Sequence, residues 1–416
     1  MQRRDFLRAL IGTCCAAGAL TLDSPWRPSF RIAQAATGKT LVVIFQRGGC
    51  DGLNTVVPYG DDDYYQLRPT IAIAPPRAGD SEAAINLNGF FGLHPGLAAL
   101  APIYQEGAMA ILPTVHYPDA TRSHFDSQTL IESGALTKYP DGWLNRHLST
   151  QPVDATLRAA SFGHTLTHAL RGVEVVSSFN SLTTFTFGLA VEEETALVER
   201  LTQVYGQIPD LSRVYHQDVY DFGKTAVRDL SVINSIDPSQ YSPANGAVYP
   251  DSSYGQQLQQ TAQLIKAGVG LEVAALNIGG WDTHRNQGSG NVDGRQFQRF
   301  QEFAKGIAAF YTDLGGRMND VVILTMTEFG RTAAENGSKG TDHGNASTWF
   351  VIGKSVQGGI YGVWPGLRTE QLYLGRYLKH NIDFRNVFGE VLTQHLGNTS
   401  LNLVFPGYAY QPVGFL

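Results

Sequence analysis

The stretch Thr40-Leu-Val-Val-Ile-Phe45, which runs through Gln46 into Arg47-Gly48-Gly49-Cys50-Asp51-Gly52, decides the fold class. An unbroken apolar, β-branched run suits a strand covered on both faces, and such strands belong to parallel sheets. The polar, glycine-rich segment behind it then lies at the carboxyl end of that strand. Val321 to Met326 (VVILTM) has the same pattern, and Ala108 to Val115 and Val273 to Ile278 read as further strands. Between them, Pro95 to Tyr104, His124 to Gly134, Tyr254 to Ala267 and Phe297 to Leu314 carry apolar residues at three- and four-residue spacing, which predicts helices. Strands alternating with helices predict an α/β fold, a three-layer sandwich around a mainly parallel sheet. Ligands of such a sheet gather beyond the carboxyl ends of its strands. Residues 151–253 differ, with a Ser/Thr-rich patch at 177–186 and a helical stretch from Glu193 to Val204, and read as a helical insertion or cap. Segments 287–294 and 332–347 read as mobile or ligand-facing loops.

Composition narrows the function. The 416 residues are 43% hydrophobic and 16% charged, ordinary for a globular protein, which excludes a disordered chain and a polytopic membrane protein. A net charge of -6 offers no electrostatic footprint for nucleic acid. The first strand is not followed by a Gly-x-Gly-x-x-Gly fingerprint, which argues against a dinucleotide-dependent oxidoreductase.

Residues 1–35 read as an export signal. Arg3-Arg4 precedes an apolar run from Ala9 to Leu22, and Ala33-Gln34-Ala35 is a small-residue cleavage site. The run is shorter than the ~20 residues that span a bilayer, so no stable membrane span is expected after cleavage. The arginine pair resembles the twin-arginine signal, which implies the twin-arginine export machinery as a partner and a periplasmic or secreted protein. The expected mature chain, 36–416, loses Cys14 and Cys15 and keeps Cys50, which has no partner for an internal disulfide.

Four segments at expected strand ends concentrate metal-ligating side chains. They are Gly48 to Asn54, Gly279 to His284, Thr327 to Arg331 and Gly340 to Gly344. Asp51, Asp282, His284, Glu328, Asp342 and His343 together offer carboxylates and imidazoles to a divalent metal, Zn first, with Mn or Ca as alternatives. Taken singly, each also has a bland reading: Asp51 as a turn former, Asp282 with His284 as an Asx turn, Glu328 as a partner of Arg331. One or two such ions can activate a nucleophile and stabilise the charge of a transferring phosphoryl or sulfuryl group. Ser123 falls near the start of the helix predicted at 124–134, a position that favours an alkoxide and an incoming anion. It reads either as the nucleophile or as the helix cap. Arg122, His124, Asn54 and Arg331 are candidates to hold the oxygens of a small anionic ester.

RGGCDGLNTVVPYGDDDYYQLRPTIAI (Arg47 to Ile73), GLHP, SHFDSQ, DGW at 141–143, GGWDTH, TEFGR, ENGSKGTDHG and DFRNVFGEVL resemble the bacterial family DUF1501 from about Thr40 to Gly397. Members of that family look like a branch of the alkaline phosphatase and sulfatase superfamily. The resemblance implies an alkaline phosphatase-like fold, a metal-binding Asp at the end of the first strand, matched by Asp51, and a nucleophile at a helix start, matched by Ser123. It implies a metal-dependent hydrolase of phosphate or sulfate esters. Asp282-x-His284 and Glu328 depart from the usual Asp-x-x-x-His and Asp-His arrangements, which leaves a non-catalytic metal- or ligand-binding envelope protein as the alternative.

Overall fold

The computed structural model describes residues 38–151, 153, 155–185, 189, 191–206 and 214–416. The expected export signal, with Arg3, Arg4, Cys14 and Cys15, lies outside the described residues. Strand β1 (Thr40–Gln46) is buried along its whole length. Its alternate side chains feed two separate cores, Val42 and Ile44 on one face and Leu41, Val43 and Phe45 on the other, which is why no polar residue interrupts the run. Six further strands make up most of the sheet: β2 (Met109–His116), β3 (Ala159–Phe162), β4 (Ser177–Phe179), β5 (Val273–Ile278), β6 (Val321–Met326) and β7 (Ser347–Ile352). The order is β2-β7-β6-β1-β5-β3-β4, with the short pieces Gly359–Ile360 and Ile382–Asp383 pairing with β2 to complete nine strands.

All pairings in this sheet are parallel except those of β7, which runs antiparallel to both β2 and β6. The exception serves the site. Because β7 is reversed, the loop entering it reaches the same edge at which β1, β2, β5 and β6 end. Helices cover both faces, so the three layers expected from the sequence are present. Helix α1 (Gly52–Thr55) is a single turn after β1; α2 (His124–Ser133) and α3 (Trp143–Thr150) follow β2. Helices α6 (Ser253–Ala267) and α7 (Arg295–Leu314) pack together on one side, and α8 (Phe384–Glu390) lies on the other with α3. The helix expected at 95–104 is broken into a 3-10 turn, Pro95–Leu100, and a short helix, Ala101–Gln105, because Pro102 has no N–H to continue the ladder.

The span 151–253 is only partly helical. Before its two long helices, α4 (Val191–Gly206) and α5 (Val214–Ile236), it contributes β3 and β4 to the edge of the sheet. These strands are four and three residues long and carry three serines, too short and too polar to show as apolar runs. Among the described residues no helix is long and apolar enough to cross a membrane.

Candidate functional site

The loop after β1 lies flush against the loop after β5, and glycine makes this possible. Gly48 has φ of 124°, and a Cβ there would sit 2.7 Å from the Asp282 nitrogen. Arg331 then ties the loops together from inside. Its Nε donates to the Gly49 carbonyl at 2.6 Å, and Nη2 donates to the carbonyls of Gly48 and Trp281 and to Asp282 Oδ1 at 2.6 Å. With Nη1 directed at the Thr341 carbonyl, this buried guanidinium spends its donors inside the protein. Arg331 positions Asp282; the anion-binding role expected for it is not what its hydrogen bonds show.

Around Asp282 Oδ1 stand three imidazoles. His284 Nε2 is 3.1 Å away, His343 Nε2 3.4 Å and His124 Nε2 3.7 Å. His284 Nε2 and His343 Nε2 are 3.0 Å apart. In each ring the other nitrogen has an acceptor: His124 Nδ1 meets Glu328 Oε1 at 2.8 Å, His284 Nδ1 meets Asp342 Oδ1 at 3.1 Å, and His343 Nδ1 meets the Arg122 carbonyl at 2.8 Å. A carbonyl or a carboxylate only accepts, so each neutral ring carries its proton on Nδ1 and turns a lone pair from Nε2 toward the same space. Lone pairs brought this close are compatible when a proton or a metal ion is shared between them.

The spacing fits a metal ion. Nitrogens about 2.0 Å from a tetrahedral Zn ion lie about 3.3 Å from each other, close to the separations found here. Orienting a ligating imidazole through its second nitrogen is the usual support of metal sites. Burial pushes His343 below the ordinary imidazole value and so favours the neutral, ligating form. Burial alone would raise the carboxyl of Glu328, but hydrogen bonds from His124, Gln128 and the Gly48 N–H outweigh it and hold it below the usual range. Asp282 is held down in the same way against burial by Arg331, and Asp342 by Asn336, His284 and Arg376. Asp282, His124 and His343 form the one group of three such ligands that lies within 4.8 Å among the described residues, and His284 adjoins it.

The sequence-derived candidates therefore separate. Asp282, His284 and His343 meet as donors. His124, expected beside the substrate, joins them because α2 begins at the edge where β2 ends. Glu328 and Asp342, expected as ligands, each receive the Nδ1 of an imidazole. Asp51 is elsewhere: its carboxylate is clamped by Arg68, at 2.7 and 2.9 Å, and accepts from Gln287 Nε2 at 2.6 Å. Both partners of that ion pair are fully buried. Asn54 belongs to the same interior network, with its amide donating to the Ile71 carbonyl and its oxygen accepting from Tyr64 and Arg68, so it faces no solvent-borne anion. Ser123 is the N-cap residue of α2 but makes no capping hydrogen bond; its hydroxyl lies against Asp126. Arg122 contributes its carbonyl to His343 and exposes its side chain. Arg68, Gln287 and Gln128 were not foreseen, and no local pattern marks them, since each acts on a residue placed by another element.

The residues of the cluster fall within one matched span. The chain belongs to the DUF1501 family, proteins of unknown function. The match covers residues 94–402, which contains His124, Asp282, His284 and His343 and begins after Asp51 and Asn54. No curated protein matches this DUF1501 chain. Solved structures with some similarity include Ps i-CgsB bound to k-i-k-neocarrahexaose, at 10% identity over 88% of this chain and 73% of that one, with a TM-score of 0.37. Another is the lipoteichoic acid synthase LtaP from Listeria monocytogenes, at 11% identity over 78% and 68%, TM-score 0.26. A third is the phosphonate monoester hydrolase of Agrobacterium radiobacter, at 11% identity over 91% and 79%, TM-score 0.31. The fold of the DUF1501 chain is defined here by its own sheet order and layers.

Proposed function

We propose that this DUF1501 protein is an exported hydrolase of phosphate or sulfate esters that works with one divalent metal ion, Zn before Mn or Ca. The observation that carries the proposal is the convergence of three Nε2 atoms on Asp282 Oδ1, each ring being fixed through its Nδ1. Three imidazoles and one carboxylate suit Zn; Ca prefers six to eight oxygens, which this set does not supply. With Asp51 committed to Arg68, the described donors support one ion rather than two. When bound, a divalent ion supplies Lewis acidity toward an ester oxygen. The chain's own residues set the stage: Glu328, Asp342 and the Arg122 carbonyl hold the imidazoles, and Arg331 holds Asp282. Ser123 is the nucleophile in this reading, adjacent to ligand His124 at the start of α2. Lys138 and Ser123 hold Asp126 below its ordinary range, so Asp126 orients the hydroxyl and is a weak base for it. Export by the twin-arginine route to the periplasm or beyond is part of the same proposal.

One observation favours a non-catalytic, metal-binding envelope protein instead: among the described residues, Ser123 has no hydrogen bond to the histidine cluster. A single experiment separates the two. Protein purified without chelators is assayed for bound metal and for turnover of phosphate and sulfate esters, beside Asp282→Ala with His284→Ala and beside Ser123→Ala. One equivalent of metal, lost in the double variant, with turnover lost in Ser123→Ala, supports the hydrolase. Metal without turnover supports the binding protein. No metal after reconstitution sinks both.

A further inference from the structure

Beside the cluster a second cationic group stands ready. The Tyr377 ring is almost fully buried and its backbone is held by bridges to Thr332 and Tyr373, so it forms a fixed shelf. Two guanidiniums lie over it, Arg122 at 4.8 Å and Arg376 at 5.6 Å from the centroid. Arg376 is paired: its Nη2 reaches Asp342 Oδ2 at 3.3 Å, the carboxylate that orients His284. Arg122 is not. Its backbone carbonyl is tied to His343, its side chain is exposed, and its guanidinium has no carboxylate or hydrogen-bond partner among the described residues.

A solvated surface arginine ordinarily samples many rotamers, and ordering it on a ligand costs free energy. Stacking on a rigid ring reduces that cost, and the planar fork of guanidinium matches phosphate and sulfate oxygens. We propose that Arg122 receives a second anionic group of the substrate, so that the site selects molecules with two separated phosphates or sulfates over simple monoesters. This rests on the metal-hydrolase reading, because the first anionic group is the one placed at the His/Asp cluster. Replacing the side chain leaves the carbonyl that holds His343, so the metal centre survives the test.

The experiment measures binding of fructose 1,6-bisphosphate and of inorganic phosphate by calorimetry to metal-loaded protein, with metal content determined on the same samples. Wild type is expected to bind the bisphosphate roughly tenfold or more tightly than phosphate, the scale of one charge-assisted contact. Arg122→Ala should remove that preference, leave phosphate binding and metal content unchanged, and Arg122→Lys should restore part of it. Arg285→Ala, which removes another exposed arginine, should change neither affinity. Equal binding of the two probes by wild type, equal losses for both in Arg122→Ala, or the same loss in Arg285→Ala overturns the proposal while leaving the metal reading in place. Protein that loads no metal overturns the metal reading itself.

Discussion

His284 and His343 point their Nε2 atoms at each other across 3.0 Å, while the Nδ1 of each is committed to an acceptor. Two lone pairs at that distance repel unless a proton or a metal ion is shared between them. This relationship joins residues 59 positions apart, and it depends on the reversed direction of β7, which brings His343 to the edge where β5 delivers Asp282 and His284.

Metal should therefore stabilise the fold. Adding Zn at about a hundred times its dissociation constant is expected to raise unfolding free energy by about 2.7 kcal/mol. Thermal unfolding with and without chelator checks this, and the shift should vanish in a variant combining His284→Ala and His343→Ala.

The carboxylate behind His124 should matter almost as much as the imidazole. Glu328→Gln keeps the shape of the side chain but removes the charge that fixes the ring, and it should weaken metal affinity by about 10- to 100-fold. Competition against a chromophoric chelator measures this. An unchanged affinity would show that Glu328 does not orient His124.

Asp51 should behave as a structural residue. Arg68→Ala leaves its carboxylate buried and unpaired and is expected to cost about 3–5 kcal/mol in urea unfolding. A purified Asp51→Asn protein should still hold its full complement of metal; loss of metal there, with the fold intact by circular dichroism, would return Asp51 to the ligand set.

Acid should destabilise the protein before its carboxylates titrate. Burial lowers His94 and His116 to about 3 and His395 to about 4. Below pH 6.5 the unfolded chain takes up protons on these rings that the folded chain refuses, so stability falls as pH falls, by up to about 1.4 kcal/mol per pH unit for each ring. The slope of unfolding free energy between pH 6.5 and 5 should decrease in His116→Phe, which removes one of the three.

The strands that form the site were legible because burial on both faces leaves an unbroken apolar run, as in Thr40–Gln46 and Val321–Met326. Asp282 and His284 were legible for a related reason, as ligand-type residues just beyond the carboxyl end of a buried strand, whereas His343 was legible as a ligand-type residue but reaches that edge through the loop that enters the reversed β7. Asp51 shows the limit of that reasoning. It occupies an equivalent position, yet its carboxylate pairs with Arg68, and whether an Asp faces solvent or an interior guanidinium does not register in local pattern.

Local chemistry alone thus specified an α/β sheet, the edge at which ligands gather, and most of the side chains found there. The division of labour among those side chains was set by tertiary structure. His124 joined the cluster because β2 ends at the shared edge; Glu328 and Asp342 lie behind imidazoles; Arg331 turned inward; β3 and β4 extended the sheet from a span that reads as helical. The physical reason is common to all of these. Strand formation responds to neighbours one and two residues away, whereas a hydrogen bond such as that between His124 and Glu328, 204 residues apart, exists only after the sheet has brought its strand ends together.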